Sequence, residues 1–267
     1  MSTPDLETLA EHYQPPPSQV FDPHDPDVVL AVDGVSVHFG GVQAVSHATI
    51  TALKGQVTGL IGPNGAGKTT TFNVITGLEQ PTNGKIFIGG KDVSRLSPYK
   101  RARLGLARTF QRLEVFGTLT ARDNILAAAE FRRSWSGDHS DPKAVADELI
   151  ERVGLRHVQH ERVDMLPTGL ARLVELGRGL ATRPRVLLLD EPGSGLDEAE
   201  SVALGDLLIE LALEGMAVLV VEHDVELVMR VCNRIHVLDF GRMIFVGEPR
   251  DVQADPAVQA AYLGAET

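Results

Sequence analysis

One run holds the residues best equipped for chemistry: Gly62-Pro63-Asn64-Gly65-Ala66-Gly67-Lys68-Thr69-Thr70. Glycines at these positions let successive backbone N–H groups curl around phosphate oxygens with no Cβ in the way. A lysine and a hydroxyl at fixed spacing complete the phosphate-loop pattern. The apolar run Gln56-Val57-Thr58-Gly59-Leu60-Ile61 before it reads as a buried strand, and Phe72-Asn73-Val74-Ile75 after it continues as a helix. A helix opening there aims its positive end at the same anion. Lys68 reaches toward β- and γ-phosphates, and Thr69, with Thr70 beside it, offers a hydroxyl to Mg²⁺.

Two further pairs have the same placement at a strand end. Asp190-Glu191 follows Val186-Leu187-Leu188-Leu189, and Glu222-His223 follows Ala217-Val218-Leu219-Val220-Val221. In sheets of parallel strands, active groups gather beyond the strand carboxyl ends. Lys68, Asp190, Glu191 and His223 can therefore converge on one phosphate. Asp190 suits Mg²⁺, held through its water shell. Glu191 suits the polarising of an attacking water, and His223 the γ-phosphate and that water.

The elements that must carry these groups alternate. Strands at 56–61, 186–189, 217–221 and 234–238 are separated by helices at 170–181, 199–213 and 225–231, with a closing hairpin around Asp239-Phe240-Gly241-Arg242. This predicts an α/β fold with a largely parallel sheet. Alternating strands at 28–37 and 44–52, and another at 85–88 after the turn Pro81-Thr82-Asn83-Gly84, predict an antiparallel β subdomain beside it. Residues from about 97 to 168 read mostly as helices. Ser97-Pro98, Thr120-Ala121-Arg122-Asp123 and Asp141-Pro142 mark helix starts, so an α-helical subdomain is inserted in the core. Residues 1–27, with Pro15-Pro16-Pro17, Pro23 and Pro26, read as a flexible extension, leaving 28–267 as the folded domain.

Composition narrows the classes. The net charge of −11 argues against a nucleic-acid partner held by a basic surface. The single cysteine, Cys232, rules out an internal disulfide. No apolar run approaches the roughly 18 to 20 residues that cross a bilayer, and the polar N-terminus does not read as a secretory signal. The chain is expected to be soluble. His157 and His160 have ligand-like spacing, but no cysteine or acid cluster completes a metal site.

In order and spacing these motifs resemble the nucleotide-binding subunit of an ATP-binding cassette (ABC) transporter, over about 28–264. The resemblance implies the ABC fold, ATP and Mg²⁺ as cofactors, and ATP hydrolysis coupled to transport. It implies that Phe39 stacks on adenine and that Gly62 to Thr70 cradle the phosphates. It implies that Gln111, in Ala107-Arg108-Thr109-Phe110-Gln111, senses Mg²⁺ and leads into the helical subdomain. Asp190 and Glu191 match the metal-holding acid and the catalytic base, His223 the switch histidine, and Ser194-Gly195-Leu196-Asp197 the loop that crosses to a second subunit. A second ATPase subunit, in a homo- or heterodimer, is implied, with membrane permease subunits, a substrate-binding protein acting indirectly, and a place on the cytoplasmic face of the cell membrane.

Finer features resemble the larger, LivG-type ATPase of branched-chain amino acid transporters: Phe39-Gly40-Gly41, the 107–111 run, Leu119-Thr120 with Asp123-Asn124, and Ala261-Tyr262-Leu263-Gly264. Cassettes for urea, amides or lipopolysaccharide share parts of the pattern. A non-transport ABC ATPase is a further alternative, but no long coiled coil, second cassette or basic patch supports it. Asp190 to Gly193 also fits the Asp-x-x-Gly of a GTPase, but no Asn-Lys-x-Asp guanine reader accompanies it. The signature loop departs from the family's Leu-Ser-Gly-Gly-Gln: here it is Leu166-Pro167-Thr168-Gly169-Leu170. Pro167 supplies neither hydroxyl nor N–H. Thr168 is expected to cap the following helix and lend its hydroxyl to the phosphate of the opposite nucleotide, beside the Gly169 N–H.

Overall fold

The computed structural model describes residues 22–263; most of the expected extension, residues 1–21, and Gly264 lie outside them. Residues 22–27 form turns tied to the fold. The Asp27 carbonyl accepts from the Lys54 N–H at 2.8 Å, and His24 meets Phe87 edge-on.

Ten strands form one curled sheet in the order β5-β4-β1-β2-β10-β9-β3-β8-β7-β6. Strands β1 (Val28–Phe39), β2 (Val42–Leu53), β4 (Asn83–Ile88) and β5 (Lys91–Asp92) pair antiparallel, as the alternating pattern predicts. Strands β3 (Val57–Ile61), β6 (Leu106–Arg108), β7 (Val186–Asp190), β8 (Ala217–Val221) and β9 (Arg234–Asp239) run parallel. The hairpin strand β10 (Arg242–Gly247) joins the two halves, antiparallel to β9 and parallel to β2 at Arg242–Ser46. Every residue of β3, β7 and β8 is buried, because a parallel sheet is covered on both faces. Leu187, Leu189, Val218 and Val220 face one core, while Val186, Leu188, Leu219 and Val221 face another, which also takes Phe72, Val74 and Ile75.

Helix α1 (Lys68–Thr76) rises from the phosphate loop. Helix α2 (Pro98–Arg103) starts at Ser97-Pro98, although the Ser97 side chain makes no capping bond. Helix α3 (Ala121–Ser136) is capped by Thr120, whose side chain accepts from the Asp123 N–H, and α4 (Pro142–Arg152) by Asp141, which accepts from the Lys143 N–H. Helix α5 (Thr168–Ala181) packs on α3 so closely that a Cβ on Gly177 would lie 2.5 Å from Ile125 Cδ1. A complete capping box of Asp197 and Glu200 starts α6 (Glu198–Leu213), and Asp224 caps α7 (Val225–Val231). Two short helices, α8 (Pro249–Ala254) and α9 (Pro256–Leu263), end the described chain.

The span read as mostly helical, 97–168, departs in two ways. It contains β6, which is an edge strand of the central sheet, and its helices share one core with α5, which lies beyond it. Among the described residues no helix is long and apolar enough to cross a membrane.

Candidate active site

The phosphate loop leaves β3 through backbone that only glycine tolerates. Gly62 has φ 153°, and a Cβ there would lie 1.9 Å from the Leu238 carbonyl oxygen of β9. Gly67, the N-cap of α1, has φ 104°, and a Cβ there would lie 2.6 Å from the Ala44 carbonyl oxygen. The loop is thus wedged between β9 and β2, with Pro63, Asn64, Gly65 and Ala66 forming its arch. This arch of glycine backbone at a helix N-terminus fits a nucleotide polyphosphate. Lys68 lies along the arch, its Nζ donating to the Gly62 carbonyl at 2.6 Å and the Pro63 carbonyl at 2.9 Å. Burial lowers its pKa, and the carboxylates of Glu191 and Asp190 pull it back up. Thr69 is exposed and Thr70 half-buried, both in the first turn of the helix.

Asp190 ends β7 and is 1% exposed. Its Oδ2 pairs with Arg108 Nη2 at 3.0 Å, and its N–H donates to Thr109 Oγ1. Burial pushes its pKa up, and the Arg108 hydrogen bond opposes that. Glu191 follows with φ +51°, left-handed backbone that a glutamate seldom takes. Its N–H donates to the Val221 carbonyl of β8 at 2.8 Å, which holds the strand ends together. Gln111 Nε2 comes to 3.5 Å from Glu191 Oε1. The sheet therefore brings Lys68, Gln111, Asp190 and Glu191 to one place. No group of three or more His, Cys, Asp or Glu able to hold a metal occurs among the described residues, and His157 and His160 are surface residues. Thr69 and Asp190 are hard oxygen donors of the kind that suits Mg²⁺ bridged to phosphates.

His223 stands at the end of β8 with its side chain 72% exposed. Phe39, half-exposed, ends β1 at the mouth of the β1–β2 turn. Thr168 and Gly169 sit at the start of α5 against the 194–197 loop, where a Cβ on Gly169 would lie 2.4 Å from the Gly195 carbonyl oxygen. The expectation that Thr168 caps α5 is corrected. Pro167 occupies the N-cap with φ −53°, Thr168 is already the first helical residue, and no side chain caps that end. The fixed proline φ leads straight into helical backbone, which leaves Thr168 no cap position.

Several buried polar residues were given no role by the sequence reading. Glu222 is 3% exposed; its Oε1 accepts from the Gly193 N–H at 2.7 Å and its Oε2 from the His223 N–H at 3.2 Å. Burial raises its pKa against those bonds. It carries the same signal as Asp190, an acid ending an apolar strand. Glu175 of α5 accepts from the Phe110 N–H at 3.1 Å, and Arg172 donates to the Gln111 carbonyl at 2.8 Å. The helix that opens at Thr168 thereby grips the Gln111 segment. Beside that segment, between β6, α2, α3 and α5, lies a cavity of about 550 Å³ lined by Tyr99, Arg103, Phe110, Phe116, Phe131 and Trp135 among others. Arg103 lies over the Tyr99 ring at 4.4 Å and the Trp135 ring at 5.5 Å.

Comparison with known proteins agrees with this geometry. Residues 45–194 match the ABC transporter family, and residues 242–267 match the branched-chain amino acid ATP-binding cassette transporter family. The branched-chain amino acid transport ATP-binding protein BraF of Pseudomonas aeruginosa is 37% identical over 253 residues, spanning 88% of this chain and 98% of the relative. LivG of Escherichia coli is 34% identical over 253 residues, again spanning 88% and 98%. The lipopolysaccharide export ATP-binding protein LptB of Haemophilus influenzae is 34% identical over 236 residues, spanning 88% and 97%. A crystal structure of a nucleotide-free cassette from an ABC transporter superposes with TM-score 0.79 at 28% identity, covering 88% of this chain and 98% of the other. The chain belongs to the ABC transporter family, as one of its ATP-hydrolysing cassettes. Within the family it is homologous to the branched-chain amino acid transport ATP-binding proteins.

Proposed function

We propose that this chain binds ATP with Mg²⁺ and hydrolyses it to drive import of branched-chain amino acids, from the cytoplasmic face of the cell membrane. The meeting of Lys68, Asp190, Glu191 and Gln111 at adjacent strand ends carries the ATPase part of this reading. The arch of Gly62, Pro63, Asn64, Gly65, Ala66 and Gly67 holds the phosphates with Lys68, Thr69 and Thr70, and Phe39 stacks on the base. Thr69, Asp190 and Gln111 would hold the metal, which would supply charge neutralisation for phosphoryl transfer. Glu191 orients the attacking water, and His223 reaches the γ-phosphate. Thr168 and Gly169 serve the nucleotide of a second cassette, with the helix N-terminus rather than a capping side chain as the anion donor.

The cassette is proposed to run from residue 28, with the turns at 22–27 tied onto it. Permease subunits dock in the aromatic cavity, so a shift of α5 reaches them through Arg172, Glu175 and the Gln111 segment. A substrate-binding protein acts through the permease. The cargo is inferred from the match at 242–267 and the likeness to BraF and LivG; the likeness to LptB supports lipopolysaccharide export as the second reading.

The test is Glu191→Gln in the complex with its permease. ATP binding persists and turnover falls by at least about a hundred-fold, or roughly 2.7 kcal/mol of transition-state stabilisation. Normal turnover refutes the assignment. In the parent complex, stimulation by binding protein loaded with leucine, isoleucine or valine decides the cargo.

A further inference from the structure

Arg108 is the unclaimed charge closest to the proposed chemistry. Its side chain is 5% exposed, and that of Asp190 is 2% exposed. From β6 its guanidinium reaches three elements. Nη2 donates to Asp190 Oδ2 at 3.0 Å, at the end of β7. Nη1 donates to Asn73 Oδ1 at 2.7 Å, on the phosphate-loop helix α1. The planar group lies 5.4 Å from the Phe72 ring centroid and 4.8 Å from that of Phe110, the residue before Gln111. Arginine alone offers such a rigid planar fork, stacked and paired at once; a lysine ammonium is a single point charge. No hydrogen bond to Asp190 Oδ1 is found among the described residues.

We propose that Arg108 is a positioning residue for the metal-holding carboxylate. It fixes Oδ2 of Asp190, leaves Oδ1 for Mg²⁺ and its water shell, and registers that carboxylate against both the phosphate-loop helix and the Gln111 segment. A bare ion pair at this depth gives little net stability, because the desolvation of both charges offsets their attraction. The geometry supports a different role: partners behind a metal ligand set its orientation and its affinity for the metal. The inference rests on the reading of Asp190 as a holder of Mg²⁺.

The experiment titrates the full-length protein with Mg²⁺ at a fixed concentration of a fluorescent ATP analogue, and repeats the binding in EDTA. Arg108→Lys raises the Mg²⁺ concentration for half-maximal tightening by about ten-fold or more, the usual effect of losing an outer partner of a metal ligand. Binding in EDTA stays within about two-fold of the parent, because the phosphate-loop backbone is untouched. Asn73→Ala removes the other anchor of Arg108, keeps the charge pair, and shifts the half-point in the same direction by a smaller factor. Unchanged half-points in both variants overturn the proposal, as does an equal loss of affinity with and without Mg²⁺. If Arg108→Lys does not fold, Asn73→Ala decides: a shifted half-point supports the proposal and an unshifted one overturns it. Asp190→Asn is the control. Mg²⁺ dependence that survives it overturns the reading of Asp190 and this inference together. Dependence lost in Asp190→Asn but unshifted in the other two overturns the inference alone.

Discussion

Replacing Glu222 by glutamine tests whether a buried acid at the neighbouring strand end governs the position of Glu191. The buried carboxylate accepts the Gly193 N–H at 2.7 Å and the His223 N–H at 3.2 Å, so one side chain pins the loop after Glu191 and the backbone of His223. Glutamine keeps one carbonyl oxygen and turns an NH₂ toward the other N–H. One of the two bonds is lost, and the survivor is neutral. Hydrogen bonds to charged groups contribute about 1.5 to 3 kcal/mol each. Burial pushes the Glu222 pKa up, so removing its charge returns part of a desolvation cost. The net loss is about 2 kcal/mol of stability. Gly193 lies two residues after Glu191, and a catalytic group displaced by a fraction of an ångström loses rate steeply. The expected fall in kcat is about ten- to a hundred-fold, or 1.4 to 2.7 kcal/mol in barrier. Affinity for ATP stays within about two-fold, because the Lys68 arch is built from other backbone. Urea unfolding, steady-state turnover and nucleotide binding measure the three quantities. A variant that is destabilised by the expected amount yet turns over like the parent refutes the positioning argument.

Two further outcomes concern the core and the strained acid. His236 of β9 is fully buried with neither ring nitrogen hydrogen-bonded, and burial pushes its pKa down to about 3. The unfolded chain binds the proton below about 6.5, so stability is flat above that pH and falls as pH drops toward 3; at pH 5 the loss is about 2 kcal/mol. In urea titrations at pH 7.5 and 5, His236→Leu loses about 2 kcal/mol less than the parent between those pH values, and equal losses would show that the imidazole does not titrate this way. Glu191 carries left-handed backbone that asparagine takes readily. Glu191→Asn therefore gains about 1 kcal/mol in thermal or urea unfolding while losing turnover, whereas Glu191→Gln loses turnover without the gain; equal stability of the two variants would count against backbone strain.

The nucleotide end was legible because its chemistry dictates local sequence. Close approach of backbone to Leu238 and Ala44 demands glycine at 62 and 67, and Thr120 and Asp141-Pro142 mark their helices with side chains that the helix itself needs. Strand β6 was not legible. Leu106-Ala107-Arg108 is too short to show a period, and it is a strand only because β7, some 80 residues later, offers an edge. The role of Arg108 was hidden for the same reason, since its partners Asn73 and Asp190 are distant in sequence. Thr168 misled because a threonine before an apolar helix usually caps it; here the preceding proline had already taken the position.

The cavity beside Gln111 has one property useful at the bench. Trp135, which lines it, is the only tryptophan of the chain, and the guanidinium groups of Arg103 and Arg132 lie 5.5 and 5.9 Å from its ring centroid. Indole emission from the native protein thus originates entirely at the wall where a permease segment is proposed to settle, within reach of two cations that alter its spectrum. Arg108 both lines this cavity and pairs with Asp190, so it links the proposed nucleotide site to that wall. A change in emission on adding ATP to the isolated cassette therefore reports a change at that wall. A change on adding the membrane subunits reports a different event, and the two are separable in one cuvette with no label attached.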